Sequence, residues 1–180
     1  MSLSEIPEGS RVIIDPSIFL FAITAASSGV AEARSAQCYW FLDRCRVRAV
    51  LGIISTVTLV RLWKQLEAIA ALKTGDLQDA AKHQALVCGV PTDAPQLNFA
   101  RRVVELAATS LSIATVQRED FSRAADLSRG LFFDIDSALT VAAVEREYRD
   151  SFQVATATSN FDVFHVSGRC EFELYRPTDI

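Results

Sequence analysis

The stretch RVIIDPSIFLFAIT, residues 11–24, decides the fold class. Val12 to Ile14 form a short, continuous β-branched run, the pattern of a strand buried on both faces. It ends on one carboxylate, Asp15, and the chain turns at Pro16, a residue tolerated in the first turn of a helix. The sequence SIFLFAITAAS then reads as a helix that is apolar nearly all round and stops near Gly29. An aliphatic strand that delivers an acid and turns directly into a helix is the opening of an α/β unit.

The same alternation continues along the chain. Residues 31–47, AEARSAQCYWFLDRCRV, have a helical period in which Ala36, Tyr39, Trp40, Leu42 or Asp43, and Val47 form the apolar side. AVLGIIS is a second strand, and Ser55 or Thr56 can cap the helix that follows it toward Gly75. Further helix is expected in DLQDAAKHQALVCG and QLNFARRVVELAATS. SIATV, FQVAT and CEFELY supply the remaining strands, and QREDFSRAADLSRG and DIDSALTVAAVEREYRD the helices between them. Strands alternating with helices predict an α/β fold with a mainly parallel five-stranded sheet flanked by helices. Residues 1–10 are expected to be a flexible N-terminal segment, followed by a single domain spanning 11–180.

Composition narrows the function classes. The chain has 180 residues, half of them hydrophobic, and a formal net charge of -4. That balance gives no support for general nucleic-acid affinity. Cys38, Cys45, Cys88 and Cys170 form no CxxC pair, and His83 and His165 are the two histidines, so zinc-ligand spacing is missing. Cys38 and Cys45, seven apart, fall on one helix face, and all four read as reduced thiols, mostly in the core. The first eleven residues lack an apolar leader segment, and no apolar run is long enough to span a bilayer. The expectation is a cytoplasmic protein without a membrane partner. No glycine-rich phosphate loop or nucleophile motif points to a small-molecule α/β enzyme.

In open parallel sheets, ligands bind beyond the carboxyl ends of the strands. Asp15 ends the first strand, and Asp136 opens a helix that leads to the fourth. Two carboxylates at that edge suit a hard divalent ion, although such sites ordinarily need three or four acids. The bland reading makes Asp15 a turn residue and Asp136 a helix cap. Arg44, Arg46 and Arg48 read as a solvated helix end, and Arg101 and Arg102 likewise. Trp40 and Trp63 read as core or interface residues.

These motifs, taken in order, resemble those of PIN domains, the metal-dependent nucleases that include VapC toxins. VIIDPSIFLFAI is similar to their opening, with Asp15 and Ser17 in place. IISTVTLVRLWKQL resembles their second motif. DIDSALTVAAVERE resembles the third, with Asp136 as its acid and Asp134 beside it, and VATATSNFDVFHVSGRCEFELYRP resembles the C-terminal strand and loop. The resemblance implies a PIN-like three-layer fold. It also implies single-stranded RNA as substrate, Mg²⁺ or Mn²⁺ as cofactor on Asp15 and Asp136, an antitoxin-like partner, and homodimers formed through helices.

The departures are chemical. Arg61 stands where the second motif carries a glutamate. Thr158 stands where the C-terminal loop carries an acid two residues after Thr156. A register shifted by two offers Asn160 instead, with Asp162 nearby. Arginine is always protonated, so Arg61 brings a fixed positive charge to an acidic position. It would then serve as an internal counter-ion, its planar fork holding a carboxylate, or it would turn to solvent and leave a poor, open site. Two functions follow: a PIN-like protein with an incomplete metal site, acting without cofactor as a binding or interaction module, or a Mg²⁺/Mn²⁺-dependent ribonuclease.

Overall fold

The structure, a computed structural model, describes residues 1–23, 29–73, 107–129, 134–149, 152–157, 161, 168 and 172–178. Chain contacts divide it into two units: Met1–Thr58 with Ser110–Ile180, and Leu59–Thr109.

The first unit holds one sheet. Its strands are β1 (Arg11–Ile14), β2 (Leu51–Ser55), β3 (Ser112–Ala114), β4 (Gln153–Ala155) and β5 (Leu174–Tyr175), in the spatial order β3-β2-β1-β4-β5. Every pairing is parallel, with Arg11 beside Leu51, Val12 beside Gln153, Ile53 beside Ser112 and Val154 beside Leu174. The parallel five-stranded α/β expectation holds. β1 lies at the centre, and Val12, Ile13 and Ile14 are all fully buried, which is why the run carries no polar alternation. The chain builds outward through β2 to β3, then returns to β1's other side for β4 and β5, so the switch point falls between β1 and β4.

The described helices are α1 (Pro16–Ile23), α2 (Gly29–Arg46), α3 (Thr56–Lys73), which runs from the first unit into the second, α4 (Asp120–Ser128) and α5 (Ile135–Tyr148). Ile13, Ile53, Ala114 and Val154 face α4 and α5, packing with Ala124, Leu127 and the α5 run from Ala138 to Val144. Phe152, Phe161 and Phe172 close that core, with Phe152 stacked on Phe172 and Phe161 edge-on to it. On the other face the approach of α2 is close. A Cβ on Gly52 would lie 2.6 Å from Leu111 Cδ2, 2.7 Å from Ile14 Cδ1 and 3.2 Å from Cys45 Sγ. Gly52 is there because no larger side chain fits between β2 and its neighbours.

The α2 face differs from the sequence expectation. Cys38, Phe41 and Cys45 are the buried residues, whereas Tyr39, Trp40 and Val47 are exposed, Trp40 at 65%. Two apolar stripes lie one position apart on this helix, and packing selects the one with the smaller side chains, which permits the close approach at Gly52. Trp40 is therefore not a core residue. Trp63, on α3, is half-buried. Cys38 and Cys45 are free thiols, as expected; Cys88 and Cys170 lie outside the described residues.

Residues 1–6 run along the outer edge of β5. Ser2 forms a parallel bridge with Arg176, Leu3 N donates to Arg176 O at 3.0 Å, and Arg176 N donates to Met1 O at 2.9 Å. Ser2 caps the short turn Leu3–Glu5, with Ser2 N donating to Glu5 Oε2 at 2.6 Å. Leu3 and Ile6 are buried, and Arg44 donates to the Ile6 carbonyl at 2.6 Å and the Leu3 carbonyl at 3.4 Å. Among the described residues no helix is long and apolar enough to cross a membrane.

Candidate functional site

The carboxyl edge of the sheet is built by helix caps. Asp15 follows β1 and is 3% exposed. Its N–H donates to Ala155 O at 3.0 Å, which ties it to the end of β4 at the switch point. Its Oδ1 accepts from Ser17 N at 2.9 Å and from the Ser17 hydroxyl, so the carboxylate caps the helix that Pro16 starts. The Ser17 oxygen in turn accepts from Ala157 N at 2.9 Å. Asp15, Ser17 and the loop after β4 thus form one hydrogen-bonded corner. The sequence pairing of Asp15 with Ser17 is visible here as a single local device.

The second corner lies at the start of α5. Asp134 is the N-cap: its carboxylate accepts from Asp136 N at 3.2 Å and from the Ser137 hydroxyl at 3.2 Å. Asp136 sits in the first turn, partly buried. Of the two acids the sequence offered for this helix start, Asp134 is the cap, and Asp136 stands in the first turn.

A buried hydroxyl triangle joins this corner to the sheet. Ser55 ends β2, Thr58 lies in the first turn of α3 and Thr140 in α5, with exposures of 0%, 5% and 2%. Their hydroxyl oxygens are 2.8 Å (Ser55–Thr58), 2.7 Å (Ser55–Thr140) and 3.0 Å (Thr58–Thr140) apart. Ser55 Oγ also accepts from Thr58 N at 3.0 Å, which makes it the cap of α3, and Thr140 donates to Asp136 O at 2.8 Å. Three hydroxyl protons serve four oxygen–oxygen contacts, so the network is fully committed and one contact carries no proton. The sequence marks Ser55 as a cap but gives no sign of Thr140, whose partners lie 82 and 85 residues away. Thr140→Val keeps the shape and removes the donor. It should cost about 1–3 kcal/mol in urea unfolding, with the loss shared rather than summed when Ser55→Ala is added.

Asp15 and Asp136 therefore both stand at the carboxyl edge, beyond β1 and beyond β2 through Thr140. Thr158, Asn160 and Asp162 lie outside the described residues, as do His83 and His165. Arg61 is partly buried on α3, three residues beyond Thr58. Among the described residues no three His, Cys, Asp or Glu side chains gather into a metal-binding group. Mg²⁺ is commonly held by one or two carboxylates together with waters and phosphate oxygens, and Asp15 and Asp136 are the described acids at this edge that would hold it.

One ion pair between α4 and α5 was missed by the sequence reading. Asp120, at the start of α4, is 2% exposed and meets Arg146 Nε at 2.8 Å. Gln117 N donates to its other oxygen at 2.7 Å, and Arg146 Nη2 donates to Thr115 O at 2.6 Å. The hydrogen bonds that Arg146 donates to Asp120 raise its already high pKa.

The fold is PIN-like. A crystal structure of VapBC2 from Rickettsia felis, bound to a DNA fragment from their promoter, matches with a TM-score of 0.51 and 11% identity, over 91% of this chain and 96% of the other. The structure of FitAB bound to IR36 DNA matches at 0.52 and 12%, over 92% and 94%. FitAcB from Neisseria gonorrhoeae matches at 0.51 and 13%, over 92% and 97%. No protein-family model and no curated protein matches the sequence. The resemblance read from the motifs is thus upheld at the level of fold, and it extends over nearly the whole chain.

Proposed function

We propose that this chain is a PIN-like binding or interaction module with weak or lost nuclease activity. The observation that carries the reading is Arg61. The order of motifs puts a guanidinium where the fold's nucleases carry their second acid. At about 5 Å and an effective dielectric of about 20, a divalent ion and a guanidinium repel by roughly 6–7 kcal/mol. The lost glutamate removes an attraction of similar size. Either change alone lowers metal affinity by orders of magnitude. The partner that best suits the module is a small antitoxin-like protein, since the fold's neighbours are two-component VapBC and FitAB assemblies. A second copy of the chain, giving a homodimer, is part of the same reading.

The second reading is a single-stranded RNA endonuclease of the VapC type, with Mg²⁺ or Mn²⁺ on Asp15 and Asp136. It is favoured by the shared placement of those two acids at the carboxyl edge.

Manganese decides between them. Millimolar Mn²⁺ should leave the melting temperature of the wild-type chain unchanged. Arg61→Glu should create a metal-dependent rise, worth about 2.7 kcal/mol once Mn²⁺ reaches 100 times its dissociation constant. A rise in the wild type, abolished by Asp15→Asn, would transfer the case to the nuclease.

A further inference from the structure

The outward face of α2 is the stripe that packing left in solvent. Ala36, Tyr39, Trp40, Asp43 and Val47 recur on it at helical spacing, and Val47 N donates to Asp43 O at 3.0 Å, so the helical turn reaches that far. Tyr39, Trp40 and Val47 are 59%, 65% and 57% exposed. The two rings meet edge to face, with centroids 6.0 Å apart at 80°, and form one apolar block. Val60, Phe121 and Ile135 are also exposed, but they stand on three different helices. Scattered apolar residues of that kind are ordinary on a surface, whereas a contiguous group marks a contact.

The charges on the stripe say what covers it. Arg46 Nε and Nη2 lie 2.8 Å and 2.7 Å from Asp43 Oδ1, and among the described residues Asp43 Oδ2 accepts no hydrogen bond. One turn of helix thus presents an acid and a base side by side at the surface. Arg44, which lies between them in sequence, is committed to the carbonyls of Leu3 and Ile6. Trp40 precedes this charged pair and Val47 follows it. Such a stripe is complementary to its own image. When two helices pack antiparallel about a twofold axis, facing residues lie equally far on either side of the axis. The midpoint of Asp43 and Arg46 and that of Trp40 and Val47 fall within one residue of each other, so one axis brings acid onto base and indole onto valine. Parallel packing would instead set acid on acid and base on base, which is repulsive.

We propose that this stripe is an interface between two copies of the chain, with the α2 helices antiparallel about a twofold axis beside Arg44. Trp40 lies on the partner's Val47, and Asp43 pairs with the partner's Arg46, each contact being made twice. This surface is that of the homodimer proposed above and rests on that reading. Five residues on each copy compare with about 20–30 in a standard interface, so the dimer is weak, with a dissociation constant on the order of tens of micromolar.

The test is sedimentation velocity of the full chain from about 2 to 200 µM, a range that brackets this affinity. The wild-type chain should pass from monomer to dimer across it. Trp40→Ala should weaken association at least about tenfold. Asp43→Arg and Arg46→Asp should each remain monomeric, because every copy then brings like charges to the axis. Mixed in equal amounts, the two should associate, one supplying two bases and the other two acids. Loss of folding would not restore association on mixing. Phe121→Ala, on α4, should leave association unchanged. A wild-type chain that stays monomeric throughout would overturn both the surface and the homodimer. A dimer indifferent to Trp40→Ala and to both charge variants would overturn the surface and leave the homodimer standing, as would a mixture of the charge variants that fails to associate.

Discussion

Asp120→Ala should lower the stability of the fold by about 3 kcal/mol, the effect of stripping a buried carboxylate from several donors at once. Asp120 is 2% exposed, and its two oxygens accept from Arg146 Nε at 2.8 Å, Arg146 Nη2 at 3.3 Å and Gln117 N at 2.7 Å. Arg146 reaches on to the Thr115 carbonyl at 2.6 Å. One carboxylate therefore holds the exit of β3, the start of α4 and the last turn of α5 in register. Alanine leaves the Gln117 N–H and the guanidinium without that acceptor. In a chain of this size the loss corresponds to a fall in Tm of about 6–12 °C. Asp120→Asn, which keeps an acceptor for Gln117, should lose less. Glu145→Gln, which breaks the more exposed pair with Arg123, should change stability by no more than about 0.5 kcal/mol. Urea unfolding with an unchanged m-value is the measurement. Equal losses for Asp120→Ala and Glu145→Gln would show that burial does not set the strength of these pairs.

That clasp also marks where the sequence stops being readable. β1 was legible because both of its faces are buried, so Val12–Ile14 needed no partner to be recognised. Asp15 with Ser17, and Asp134 with Asp136, were legible because a helix cap is written within three residues. Asp120 with Arg146 was not, because the partners are 26 residues apart and each alone looks like an ordinary surface charge on a helix. Thr140 was hidden for the same reason, with Ser55 85 residues away. The α2 face was misread because two apolar stripes compete on one helix. Side-chain size drew the reading to Tyr39, Trp40 and Val47, but the close contact at Gly52 admits Cys45. Short-range rules therefore give the elements and their caps. The choice between faces, and every buried polar pair across elements, depends on packing.

The misread helix leads to the chemical consequence of its true face. Cys38 and Cys45 are 0% and 1% exposed, and burial pushes each thiol from its ordinary value near 9 up to about 12; the Arg44 charge pulls Cys45 slightly the other way. The thiolate is the reactive species. At pH 8 a thiol with a pKa near 9 is about one-tenth thiolate, and one near 12 about one part in ten thousand, so iodoacetamide should alkylate both cysteines about a thousandfold more slowly than in the unfolded chain. The linkage has a definite sign. A thiol whose pKa is raised by folding favours the folded state fully below about pH 9, and that contribution is lost as pH rises toward 12, at up to about 1.4 kcal/mol per pH unit for each thiol. Alkylation at pH 8, read peptide by peptide with and without urea, should therefore show Cys38 and Cys45 protected until the sheet unfolds. Melting temperatures should fall more steeply above pH 9 than below it. Were Tyr39, Trp40 and Val47 the inward face instead, Cys38 and Cys45 would react at the unfolded rate. The same experiment thus tests the orientation of α2 against β2.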